Sequence, residues 1–164
     1  MELLAARAST ESAPLKIKKI LVALDFSPLS EKAFHYAVRL ARQFKAELTL
    51  LHILEPIVPL TYEGLAIDLP DSTDDANIAN KTLKEMAASA RAGGIERTTA
   101  RVGRGLASHE LVEIARELDV DLIVIATHGY SGWKHFCIGS TAERVVRAAH
   151  CPVFVVREKE HDFN

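Results

Sequence analysis

Short, almost wholly apolar runs recur along the chain, with amphipathic stretches between them. The first run, "KILVAL" at Lys19 to Leu24, is too short for a helix and suits a buried strand. In "SEKAFHYAVRLARQFKAE", Ala33, Ala37, Leu40, Ala41 and Phe44 fall on one helical stripe. Ser27 stands ready to cap that helix, with Pro28 at its first position. "ELTLLHIL", Glu47 to Leu54, predicts a second strand. "DSTDDANIANKTLKEMAASARAGG" predicts a second helix, acidic at its positive end and stopped by Gly93-Gly94. "IERTTARVG" alternates like a strand with one wet face. "ASHELVEIARELDV" predicts a third helix, "DLIVIAT" a buried strand, "STAERVVRAAH" a fourth helix and "CPVFVVRE" a last strand.

Strands and helices thus alternate from end to end. That pattern predicts an α/β fold, a five-stranded parallel sheet with helices on both faces. Right-handed crossovers leave few topologies, and the expected strand order is 3-2-1-4-5. Residues 16–158 are read as one domain, with flexible tails at 1–15 and 159–164. Residues 55–70, with three prolines and a glycine, are expected to form a long loop.

Composition narrows the class. The 164 residues are 48% apolar and 26% charged, ordinary for a globular domain with a real core. A formal charge of −2 gives no footprint for nucleic acid or an anionic membrane, and the "KIKK" at Lys16 to Lys19 reads as a solvated lead-in to a strand. No apolar run reaches the ~20 residues of a membrane helix, and "MELLAARASTESAPLK" does not read as a signal peptide. Two cysteines, Cys137 and Cys151, form no disulfide framework; reduced thiols and a cytoplasmic location are expected.

In a sheet of this kind ligands bind beyond the carboxyl ends of the strands, where the order reverses, here between strands one and four. Strand one ends in "ALDFS", which puts Asp25 there. Strand four runs into "ATHGYSGWKHFCIGST", a small-residue turn leading to a helix that begins near Gly139, Ser140 and Thr141. The unpaired N–H groups and positive dipole of such a helix end favour phosphate. Both Asp25 and Ser140 also suit plain helix caps, and a cap and a ligand contact are compatible. Other motifs fall short. "GRGLAS" at Gly103 lacks the third glycine of the dinucleotide fingerprint, follows an edge strand and reads as a turn before a capped helix; no P-loop is present. "GYSG" around Ser131 is not a nucleophile elbow. His135 and Cys137 have no companion pair for a metal, and His52 reads as a satisfied, half-buried strand residue.

"KKILVALDFS", "ATHGYSGWKHFCIGSTAERVV" and "CPVFVVR" together resemble the universal stress protein family over about Lys18 to Arg157. The family motif G-x2-G-x9-G-(S/T) maps to Ala126, Gly129, Gly139 and Ser140, with alanine where the family has its first glycine. The resemblance implies a Rossmann-like fold of the adenine nucleotide alpha hydrolase type. It implies that Asp25 and the backbone of Ile53 hold the adenine side, that Ala126 lies near the ribose, and that Gly129, Gly139, Ser140 and Thr141 cradle phosphates. The expected ligand is ATP, or ADP or AMP, with Mg²⁺ accompanying a triphosphate and no dedicated protein cage for the ion. A homodimer through the apolar edge strand 152–157 is expected, since such edges invite pairing and the resemblance implies it too. The expected role is a stress-response sensor or regulator with an unknown protein partner and no catalytic residues. A nucleotide-independent interaction protein of the same fold, a slow ATPase and an adenylating enzyme stand as alternatives; the last lacks a Gly-rich loop after strand one.

Overall fold

The computed structural model describes residues 14–56, 73–127 and 139–159. Five strands, β1 (Lys19–Ala23), β2 (Glu47–Leu54), β3 (Thr98–Arg104), β4 (Leu122–Ala126) and β5 (Val153–Val156), alternate with four helices. The helices are α1 (Pro28–Phe44), α2 (Thr73–Ala92), α3 (Ala107–Glu117) and α4 (Ser140–Ala148). The sheet is parallel throughout and its order is β3-β2-β1-β4-β5, as the sequence predicts.

Side chains alternate across each strand, and β1, β2, β4 and β5 carry apolar residues on both sides, so two cores form. Ile20, Val22, Leu48, Leu50, Leu122 and Val124 face one way, where α1 brings Ala33, Phe34, Ala37 and Ala41 and α2 brings Leu83, Ala87 and Ala90. Leu21, Leu51, Ile123 and Ile125 face the other way, against Leu111, Val112, Ile114 and Ala115 of α3 and Ala142 and Val145 of α4. Leu40 and Phe44, expected on the buried stripe of α1, pack against the first core while staying partly exposed.

Local devices set the ends of the elements. Ser27 is the N-cap of α1 and accepts from the Ser30 amide, with Pro28 at the first position. Lys45 adopts φ 54° at its C-cap, and the Ala46 amide then reaches back to Ala41 O. β3 starts three residues later than the alternation at Ile95 suggests. After the Gly93–Gly94 exit the Thr98 hydroxyl donates to Ile95 O at 2.7 Å, so Ile95 to Arg97 form a turn and pairing begins at Leu48↔Thr98. At the amino end of the sheet the Asp121 carboxylate accepts from the Lys18 and Lys19 amides at 2.7 and 2.9 Å, which ties β4 to the start of β1. Cys151 lies before β5, half-buried and unpaired; burial first, then the nearby Asp121 charge, raises its thiol pKa. Among the described residues no helix is long and apolar enough to cross a membrane.

Leu50 is fully buried in the first core. Leu50→Ala is expected to lower unfolding free energy by about 2–5 kcal/mol. Urea unfolding should show a lower midpoint at an unchanged slope.

Candidate functional site

The strand registers bring the sequence-predicted residues to one edge. Ala23 pairs with Leu51, and the Leu24 amide still donates to Leu51 O at 2.8 Å. Continuing that register sets Asp25 opposite Ile53. Val22 pairs with Val124, so the same continuation sets Leu24 beside Ala126 and Asp25 beside Thr127. Asp25 and Ile53 therefore lie level at the carboxyl end of the sheet, with Ala126 one residue back beside Leu24, where β1 and β4 adjoin and the strand order reverses. The Gly139 amide donates to Thr127 O at 2.8 Å, which seats the start of α4 on the end of β4. Gly129, His128 and the 130–138 stretch lie outside the described residues, as do 57–72 and both chain ends.

Each placed residue has a definite local role. The Asp25 carboxylate accepts from the Ser27 amide at 3.1 Å and the Ser27 hydroxyl at 2.6 Å through one oxygen. Ser27 in turn accepts from the Ser30 amide at 3.2 Å, so the acid buttresses the cap of α1 rather than capping it directly. Ala126 is 9% exposed, and its methyl belongs to the core on the α1 side. The extra carbon relative to the family glycine is thus absorbed by packing. Ile53 carries its side chain to the opposite face, over Gly103 of β3.

Three of the four helix starts, those of α1, α3 and α4, differ in how they are closed. α1 is closed by Ser27. α3 has Leu106 as N-cap with no side-chain cap bond of its own. Its Ala107 amide instead donates to the Glu55 carboxylate at 2.8 Å, an acceptor from just beyond the end of β2. α4 begins with Gly139 as N-cap in extended conformation, again with no side-chain cap bond. Ser140 is the first helical residue and is exposed; the cap role considered for it belongs to Gly139. The amides of the first turn of α4 have no acceptor inside the helix. A helix end of this kind carries about half a positive charge.

Sequence reasoning missed Glu55, whose partner is 52 residues away, and Phe26, which adopts φ 62° beside Asp25. It also passed over Ser27 as the partner of Asp25, although the acid-x-serine spacing of "DFS" carries that signal. Among the described residues no group of three or more His, Cys, Asp and Glu side chains could hold a metal ion.

Comparisons with known proteins agree on one family. The family model described as the Universal stress protein family matches residues 16–157. A universal stress protein of Methanocaldococcus jannaschii is 34% identical over 150 residues, 88% of this chain and 85% of that one. The structure of UspA from Lactobacillus plantarum superposes with a TM-score of 0.72 at 24% identity, covering 88% of this chain and all of that chain (100%). A universal stress protein solved in complex with cAMP superposes at 0.68 and 22% identity, covering 88% and 100%. The chain belongs to the universal stress protein family.

Ser27 is 4% exposed and links Asp25 to α1. Ser27→Ala is expected to cost about 1 kcal/mol by loss of the cap. The Ser27→Gly variant, which restores cap geometry alone, should recover most of that loss in thermal melts.

Proposed function

We propose that this universal stress protein binds an adenine nucleotide, ATP first among them, at the crevice between β1 and β4. The observation that carries the reading is the start of α4. It is a helix N-terminus at the switch point with no side-chain cap bond among the described residues, whereas those of α1 and α3 are closed by Ser27 and Glu55. A phosphate group is the natural acceptor for such amides. Asp25 and the backbone of Ile53 stand level with each other at the end of β1 and β2, which suits the base and ribose, while Gly139, Ser140 and Thr141 take the phosphates. Gly129 joins that set by its motif position. The similar protein solved with cAMP is consistent with an adenine ligand.

The proposed role is that of a cytoplasmic stress-response sensor or regulator, in which nucleotide occupancy alters a surface offered to a protein partner. Mg²⁺ accompanies the triphosphate through phosphate oxygens and water, since no protein cage is called for. Hydrolysis, where it occurs, is slow. The protein pairs with a second copy through residues 152–157. β5 is an edge strand bonded to β4 on one side only among the described residues, and Val153, Phe154 and Val155 remain half-exposed along it. A sheet edge of that composition is stabilised by pairing.

Thermal melts with ATP, ADP and AMP test the nucleotide reading. A ligand at a hundredfold excess over its dissociation constant should stabilise the fold by about 2.7 kcal/mol. No shift with any of the three favours a nucleotide-independent interaction protein. Light scattering at micromolar concentration should give twice the monomer mass, and a stable monomer contradicts the edge-strand pairing.

A further inference from the structure

His52 is the last residue of β2 but two, and its ring serves the neighbouring strand. Its Nδ1 lies 2.7 Å from Leu24 O. A carbonyl oxygen only accepts, so Nδ1 carries the proton and donates it. The same ring is stacked on Phe26, with centroids 4.4 Å apart and planes 24° from parallel. Phe26 holds φ 62°, a left-handed conformation that bulky side chains rarely adopt. Such a conformation persists only where the surroundings enforce it. One side chain thus grips the residue before Asp25 by a hydrogen bond and the residue after it by a ring face.

We propose that His52 is a positioning residue for the candidate nucleotide site, acting through Asp25. The backbone on both sides of Asp25 is fixed from β2, and Ser27 fixes its carboxylate. With these restraints the acid keeps one orientation at the mouth of the crevice before any ligand arrives. A histidine present only to fill space on β2 needs neither the bond to Leu24 O nor a strained Phe26 to stack on. The effect falls on the part of the ligand that Asp25 meets, the base and ribose. It leaves the phosphate cradle alone, because the α4 start hangs from β4 through Thr127. The inference rests on the adenine-nucleotide reading.

The test is calorimetric titration of the wild-type chain, His52→Leu and His52→Asn with ATP and with inorganic tripolyphosphate. His52→Leu is expected to lose about tenfold in ATP affinity, the usual consequence of one lost positioning bond. Its tripolyphosphate affinity should stay within about twofold of wild type on the same scale. His52→Asn, whose amide nitrogen occupies the place of Nδ1, should recover a substantial part of the ATP affinity. Unchanged ATP binding in His52→Leu overturns the proposal, and so does a parallel loss for tripolyphosphate. If His52→Leu fails to fold, Phe26→Leu carries the same comparison: a loss confined to ATP supports the proposal, and no loss or an equal loss for both ligands overturns it. A wild-type chain that binds no ATP overturns the nucleotide reading itself, and this inference falls with it.

Discussion

The parallel pairing of β1 with β4 is the constraint on which the rest depends. Both strands are central, and every apolar side chain on them is committed to one of two cores. A slip of one residue in either register would exchange the two faces and bury nothing properly. With register fixed, the chain leaves β1 for α1 on one face and leaves β4 for α4 on the other. The two helices lie on opposite faces, and the strand order reverses between β1 and β4 at the carboxyl edge of the sheet. A switch point there is a by-product of topology, available before any residue is chosen for function.

What distinguishes this crevice is how its hydrogen-bonding groups are settled. α3 starts close to the edge of the sheet, yet its first amide is already taken by Glu55. α1 starts beside Asp25, yet Ser27 closes it. The start of α4 carries small residues, Gly139, Ser140 and Thr141, and its cap residue has no side chain to offer. Three helix ends with the same backbone electrostatics are therefore unequal as anion sites, and the difference lies in which side chain reaches each one. Asp25 adds a carboxylate on the β1 side, anchored through Ser27, while the start of α4 presents the positive end of its helix on the β4 side.

Much of this was legible in the sequence. Apolar runs of four to eight residues separated by helical stripes fixed the element order, because strands buried on both faces have no polar side to confuse the pattern. The strand order and the bounds of β2 agree with the expectation. Asp25, Ile53 and Ala126 were placed at one edge, and the register sets Asp25 level with Ile53 and Ala126 one residue back. The start of β3 was misread because Ile95 is apolar and buried, yet it precedes the strand; the Thr98 hydroxyl turning back to Ile95 O leaves no pattern in hydropathy. Glu55 and His52 were illegible as partners for the same reason. Their roles come from residues far along the chain, Ala107 and Leu24, that only the folded sheet brings near. Ala126, where the family motif has its first glycine, packs in the α1-side core. Gly129 lies outside the described residues.

The most direct measurement is amide chemical-shift mapping of the isotopically labelled protein during titration with ATP. The amides of Ser140, Thr141 and Ala142 should move most, with Asp25 and Ile53 following, while Ala107 at the Glu55-closed start of α3 stays in place. Shifts concentrated at Ala107, or no shifts at the start of α4 at saturating nucleotide, would contradict the account.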